Sequence, residues 1–170
     1  MSLRSLISGL LAAASVCVLI LTGPAPPARA ADGGDYGAFK FYSVKAKFDD
    51  VKFDLENALV SRGFKVDHHG FIGKMLDRTG PDVGDTTPIY KNAEYFVFCS
   101  ATLSRNALKA DRRNIGFCPY VVTIYHTVED PGTVVVGYRR VDVLGSEGSK
   151  KAMEAVNKVL DGIAREATGQ

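Results

Sequence analysis

The fold turns on Phe39-Lys40-Phe41-Tyr42-Ser43-Val44-Lys45-Ala46-Lys47-Phe48 and the residues after it, through Ser61-Arg62-Gly63-Phe64-Lys65-Val66-Asp67. The first part alternates, with Tyr42, Val44, Ala46 and Phe48 on one side and Ser43, Lys45 and Lys47 on the other. A period of two places the apolar set on one face of a strand that is covered on a single side. Asp49 stands where it can cap a following helix, and Phe48 and Phe53 are spaced as a hydrophobic staple around it. Val51, Leu55, Ala58 and Leu59 recur at helical spacing, and Gly63 supplies the stop. Phe64 to Asp67 resumes a strand. The unit reads strand, helix, strand.

Downstream, His68 to Arg78 holds a short helix with Ile72, Met75 and Leu76, and Thr79 to Asn92 reads as a long loop with Gly80, Pro81, Gly84 and Pro88. Tyr95 to Cys99 is apolar on both faces, the mark of an interior strand. Ser100 can cap a helix through Leu103, Ala107 and Leu108 that ends near Arg112-Arg113. Gly116 to Thr127 reads as the longest strand, turning at Glu129-Asp130-Pro131-Gly132 into Thr133 to Arg140. Ser149 then caps a last helix whose apolar positions are Ala152, Met153, Val156, Val159, Leu160 and Ile163. That face must be buried, on the sheet or on a second subunit. The order predicts one compact α+β domain over residues 39–168, a mostly antiparallel sheet with helices packed on one face.

Upstream, Arg4 precedes an apolar stretch from Leu6 to Leu21, then Gly23-Pro24-Ala25-Pro26-Pro27 and Ala28-Arg29-Ala30. A basic start, a short apolar core, a breaker and small residues before a cut make a signal peptide over residues 1–30. The apolar core ends too early, in a Pro-rich breaker, for a retained spanning helix. The expectation is a periplasmic or secreted protein, with a loose Gly- and Asp-rich leader at 31–38 and no membrane anchor after cleavage. Of the 170 residues, 21 are basic and 19 acidic. Removal of Arg4 and Arg29 leaves 19 of each. A neutral chain has no general attraction for nucleic acid or anionic lipid.

Three places concentrate reactive side chains. Asp67-His68-His69-Gly70, with Met75 nearby, offers imidazole and thioether ligands suited to copper or haem iron. Adjacent histidines on a strand point to opposite faces, so both reach one ion only if the chain bends, which Gly70 permits. Otherwise they are a solvated pair. Cys99 and Cys118 are the two cysteines that survive cleavage. A disulfide, two separate structural thiols, and a ligand or redox role all stay open for them, and they approach only if their strands run antiparallel. In the last hairpin, the turn sets Ile124 opposite Gly137 and Val122 opposite Arg139. Gly137 then leaves a gap on the face of Cys118, Tyr120 and His126, with Arg139 placed to hold an anion. The chain carries no GxSxG, HExxH, Walker loop, CxxC or dinucleotide fingerprint, which argues against an orthodox hydrolase or dehydrogenase.

Tyr42-Ser43-Val44 through Phe48-Asp49-Asp50-Val51, Ser61 to Val66, Phe98-Cys99-Ser100, Phe117-Cys118-Pro119-Tyr120 and Val136-Gly137-Tyr138-Arg139 resemble the DUF-302 family of small α+β domains of unknown function. The resemblance covers about Tyr42 to Arg140. It implies a homodimer and offers no catalytic residues to carry over. Many relatives have a Gly- or Pro-based turn at Cys99-Ser100, and exported ones keep company with c-type cytochromes and sulfur-compound oxidation. The expected function is a non-catalytic periplasmic binding or accessory domain of a redox or sulfur-oxidation system. It would bind haem, a copper ion or a small anion through His68, His69, Met75, Cys99, Cys118 or Arg139, with a periplasmic cytochrome or sulfur-oxidation protein as partner. The alternatives are a thiol-based redox or sulfur-carrier protein using Cys99 or Cys118, and a purely structural interaction domain.

Overall fold

A computed structural model describes residues 33–170, so the signal peptide expected at 1–30 lies outside the described residues. Six strands form one sheet in which every pairing is antiparallel. In chain order they are β1 (Gly34–Tyr36), β2 (Phe39–Lys45), β3 (Lys65–Phe71), β4 (Tyr90–Cys99), β5 (Tyr120–Thr127) and β6 (Thr133–Arg139). Across the sheet the order is β1-β2-β6-β5-β4-β3. The helices are α1 (Phe48–Val60), α2 (Ile72–Val83), α3 (Ala101–Ala110) and α4 (Glu147–Thr168), with a 3₁₀ turn at Arg112–Phe117. The leader stretch contains β1, which pairs Gly34 with Phe41 and Tyr36 with Phe39 at the sheet edge.

The core lies between one face of the sheet and the helices α1, α3 and α4. Tyr42 on β2, Phe96 and Phe98 on β4, Val122 and Ile124 on β5, and Val134, Val136 and Tyr138 on β6 meet Leu55 and Leu59 of α1 and Met153, Leu160 and Ile163 of α4. The side chains of each strand alternate across the sheet, so this set is the inner half of each one's pattern. Burying a large aliphatic side chain contributes roughly 1.5–3 kcal/mol, which is why α4, with the widest apolar stripe, holds the layer together. Asn57 and its neighbours end α1 as the period required, with Gly63 at φ +74° just beyond it.

Several expectations are corrected by packing. Helix α1 starts at Phe48 with Lys47 as its cap residue and no capping side chain, and Phe53 is 63% exposed, so there is no staple. Phe48 instead turns inward and stacks on His126, ring centroids 4.9 Å apart. The expected loop at 79–92 is shorter, because α2 runs to Val83 with Pro81 in its last turn and β4 begins at Tyr90. Residues 112–117 wind into the 3₁₀ turn, so β5 starts at Tyr120, and the longest strand is β4 with 10 residues. Ser146, not Ser149, caps α4, accepting from the Ser149 backbone N–H at 3.2 Å. Ser149 is buried and bonds Asn114. Ser100 does cap α3, its hydroxyl accepting from Leu103.

The hairpin register is slipped by one from the expectation. Gly137 faces Thr123, and Val122 faces Tyr138. One residue of slip exchanges sheet faces, so Gly137 lies away from Tyr120 and His126. The space it leaves is filled: a Cβ there would run into the Phe39 ring.

Candidate functional site

Antiparallel pairing decides the fate of the cysteines. Cys99 ends β4, and the 3₁₀ turn delivers Cys118 just before β5, whose Tyr120 pairs with Phe98. The two sulfurs stand 3.4 Å apart. The Ser104 hydroxyl, one turn into α3, lies 3.2 Å from the Cys118 sulfur. Both thiols are half-buried and unbonded. A disulfide needs about 2.05 Å between sulfurs, so oxidation asks the two to close the remaining gap. Burial first, and then the neighbouring Cys118 thiol, push the Cys99 thiol up to about 11. Tyr120, beside the pair, is pushed up to about 12, mainly by burial. Cys99 thus keeps its proton at neutral pH.

The same end of the sheet holds Arg139, at the close of β6. The β5/β6 ladder stops at Val122–Tyr138. Beyond it Tyr120 stays with β4, while Arg139 stays with Phe39 of β2. The two central strands therefore part, and a cleft of about 310 Å³ opens between them. Phe117, Pro119 and Tyr120 line one side, Arg139 and Val141 the other, and Leu160 of α4 is among the lining residues.

The histidines are apart from this site and from each other. His69 pairs with Phe96 on the helix side of the sheet, its ring between Phe96 and Phe71 at centroid distances of 4.3 and 4.5 Å. Its Nε2 meets the Glu94 carboxylate at 2.7 Å. His68 pairs with Val97 and tilts against Tyr95 on the opposite face. Gly70 makes no bend; it stays in β3, where a Cβ would strike the Tyr95 ring, and the irregularity sits earlier, between Val66 and His68. Met75 is exposed on α2, 3.8 Å from the Thr79 hydroxyl. Among the described residues no three His, Cys, Asp or Glu side chains gather as a metal group. Of the soft-ligand set, only Cys99 and Cys118 come together.

One polar cluster had no signature in the sequence. Asp161 on α4 accepts from the hydroxyls of Tyr42 at 2.5 Å and Tyr138 at 2.9 Å, pairs with Lys40 at 2.7 Å, and accepts from Arg165 at 2.9 Å. Burial works to raise its carboxyl, but the bonds from Lys40, Tyr42, Tyr138 and Arg165 outweigh it and hold the group well below the ordinary carboxylate range. Only Arg165, at i+4 from Asp161, was adjacent enough in sequence to be noticed. The other three donors reach Asp161 through the sheet.

A model of the family described as "Domain of unknown function DUF302" matches residues 41–167. The chain belongs to the DUF302 family. It is also similar to the crystal structure of an uncharacterised conserved DUF302 protein from Bacillus stearothermophilus, at 16% identity and a TM-score of 0.63, covering 76% of this chain and 98% of that one. At that identity the likeness speaks for the fold. No curated protein matches. The DUF302 match spans both cysteines, Arg139 and Asp161, so the thiol pair is set within the family domain.

Proposed function

We propose that this DUF302 protein is an exported thiol–disulfide module serving a redox or sulfur-oxidation system, with Cys99 and Cys118 as its working pair. The observation that carries the reading is the 3.4 Å approach of the two sulfurs at the open end of the sheet. Cys118, with the Ser104 hydroxyl beside it, is the entry thiol, and Cys99 is the resolving one. A Cys118 thiolate attacks a partner disulfide, forming a mixed disulfide and releasing one partner thiolate. Cys99 then gives up its proton and attacks the Cys118 sulfur, releasing the second. Two thiols of the protein become one disulfide, and the partner disulfide becomes two thiols, so two electrons pass outward. A sulfur-oxidising protein that itself carries a disulfide is the partner class that fits such an exchange. The sheet face opposite α1, α3 and α4 carries Phe39, Val97, Val121 and Tyr125, and suits pairing with a second copy.

The test is thiol trapping of protein taken from the periplasm, followed by a redox titration. The expected result is an intramolecular Cys99–Cys118 disulfide with a measurable midpoint above about −300 mV, the range of exchangeable bonds. Two freely alkylated thiols, or a bond that resists reduction below that value, would overturn the reading.

A second reading rests on the same pair, because two neighbouring thiolates suit a soft copper(I) ion. Metal analysis and a visible spectrum of untagged protein test it. Stoichiometric copper lost in C118S supports it, and protein that neither carries nor takes up copper removes it. The haem version of this expectation would draw on one of the two histidines, since His68 and His69 lie on opposite faces of β3.

A further inference from the structure

We propose that the cleft between the parted ends of β5 and β6 binds the carboxylate arm of a small organic disulfide, which is the molecule the thiol pair exchanges with. This rests on the dithiol reading above and adds the class of the partner. Four observations converge on it. The cleft exists because the central ladder ends at Val122–Tyr138, so an open space lies between two strands inside the sheet rather than at its edge. Its walls are largely apolar, with Phe117, Pro119 and Leu160, which suits a short alkyl arm. Phe117 and Pro119 flank Cys118 in the chain, so the cleft borders the backbone of the entry cysteine, whose sulfur faces Cys99 and Ser104.

Arg139 supplies the charge. Its neighbour Arg140 is committed to the Asp35 carboxylate and the Gly37 carbonyl. Arg139 is exposed and has no hydrogen-bond or ion-pair partner among the described residues. A guanidinium without a partner, on a residue that lines an apolar cleft, matches a carboxylate, which it can hold through two parallel hydrogen bonds. Asp142 lines the same cleft and disfavours ligands with clustered negative charge, so one carboxylate per arm is the fitting pattern. The exchange balances as before: the ligand's S–S bond is reduced to two carboxylate-bearing thiols while Cys118 and Cys99 are joined.

The experiment uses the reduced full-length mature protein and its R139Q variant. Each is mixed at low salt with 3,3′-dithiodipropionate, which has one carboxylate per arm, or with uncharged 2-hydroxyethyl disulfide. Each rate of thiol loss is divided by that of a free, uncharged thiol with the same disulfide. The expected ratio of the two favours the carboxylate by about tenfold in the unmodified protein, the equivalent of about 1.4 kcal/mol, and falls to about one in R139Q. A ratio near one in the unmodified protein, or one that R139Q leaves intact, would overturn the proposal. If neither disulfide oxidises the pair, the dithiol reading fails on its own, and the cleft is read by binding of the thioether thiodipropionate, which cannot exchange. Saturable binding that R139Q abolishes upholds the cleft as a carboxylate site, and absence of binding overturns it.

Discussion

The Asp161 hub and the Cys99–Cys118 pair are both polar clusters bordering the same apolar layer, and they are built in opposite ways. At Asp161 each carboxylate oxygen has partners: Tyr42, Tyr138 and Lys40 on one, Arg165 on the other. A half-buried charge so fully bonded ties α4 to β2 and β6 and leaves no capacity for a ligand. At the cysteine end two thiols face one another, a lone hydroxyl attends them, and an uncommitted Arg139 lines a cleft shared with Phe117 and Pro119, the chain neighbours of Cys118. The first cluster has spent its bonding on the fold. The second keeps bonding capacity in reserve, which is what exchange chemistry needs.

Four measurements probe the difference between the two clusters. The largest expected effect is on stability when the oxidised pair is reduced. Closing a loop of about 20 residues contributes about 3 kcal/mol. Urea unfolding with and without reductant should show that loss, and the C99S/C118S double variant should show none. Equal curves for the oxidised and reduced protein would mean that the bond does not form.

Next in size is Asp161→Asn. It leaves the Lys40 and Arg165 cations without their carboxylate and should cost about 2 kcal/mol in the same unfolding assay. The thiol titration should be unaltered. A change in midpoint potential would mean that the two clusters are coupled, against the contrast drawn here.

The third measurement is the pH dependence, with opposite signs at the two sites. The Asp161 carboxyl is lower in the folded chain than in the unfolded one. Its contribution is present above the ordinary carboxylate value and fades as pH falls below it through the folded value. The Cys99 thiol is raised to about 11. In reduced protein its contribution is whole below about pH 9 and is lost as pH rises toward 11, because the unfolded thiol ionises first. Thermal melts across both ranges should show the acid loss in either redox state and a larger alkaline loss in the reduced state, above the loss that the raised Tyr120 and Tyr138 hydroxyls give both states. An alkaline loss of the same size in oxidised protein would assign it to another group.

The smallest effect is that of Ser104→Ala. A half-exposed hydroxyl beside a thiol should change stability by less than about 0.5 kcal/mol. The rate of Cys118 alkylation should fall, since the hydroxyl is placed, with the Cys99 thiol, to donate to its thiolate. An unchanged rate would remove Ser104 from the exchange.

Much of the architecture was legible. Alternation in Phe39 to Phe48, the helical spacing from Val51 to Leu59, and the apolar stripe from Met153 to Ile163 each name an element and the face it buries. These are local signals, and burial of the marked face enforces them. The misreadings share one cause. Phe48 is a staple residue only if Phe53 turns toward it, and packing on His126 draws it inward instead. The hairpin register was read from the turn alone, whereas the outer face fixes it by the fit of Phe39 over Gly137. The Asp161 hub could not be read at all, because Lys40, Tyr42 and Tyr138 lie far from Asp161 in the chain.

Read alone, the chain yields the class of fold, the order of its principal elements, a formal net charge of +2 and the short set of reactive side chains. Those follow from periodicity and composition, which act over a few residues. Tertiary structure alone decided which reactive side chains meet. Antiparallel pairing of β4 with β5 joined Cys99 to Cys118 across 19 positions of chain. The pleat of β3 sent His68 and His69 to opposite faces, and the parting of β5 from β6 gave Arg139 a cleft to line. Contact between distant residues depends on strand direction and register, and those are set by what the whole layer can bury together.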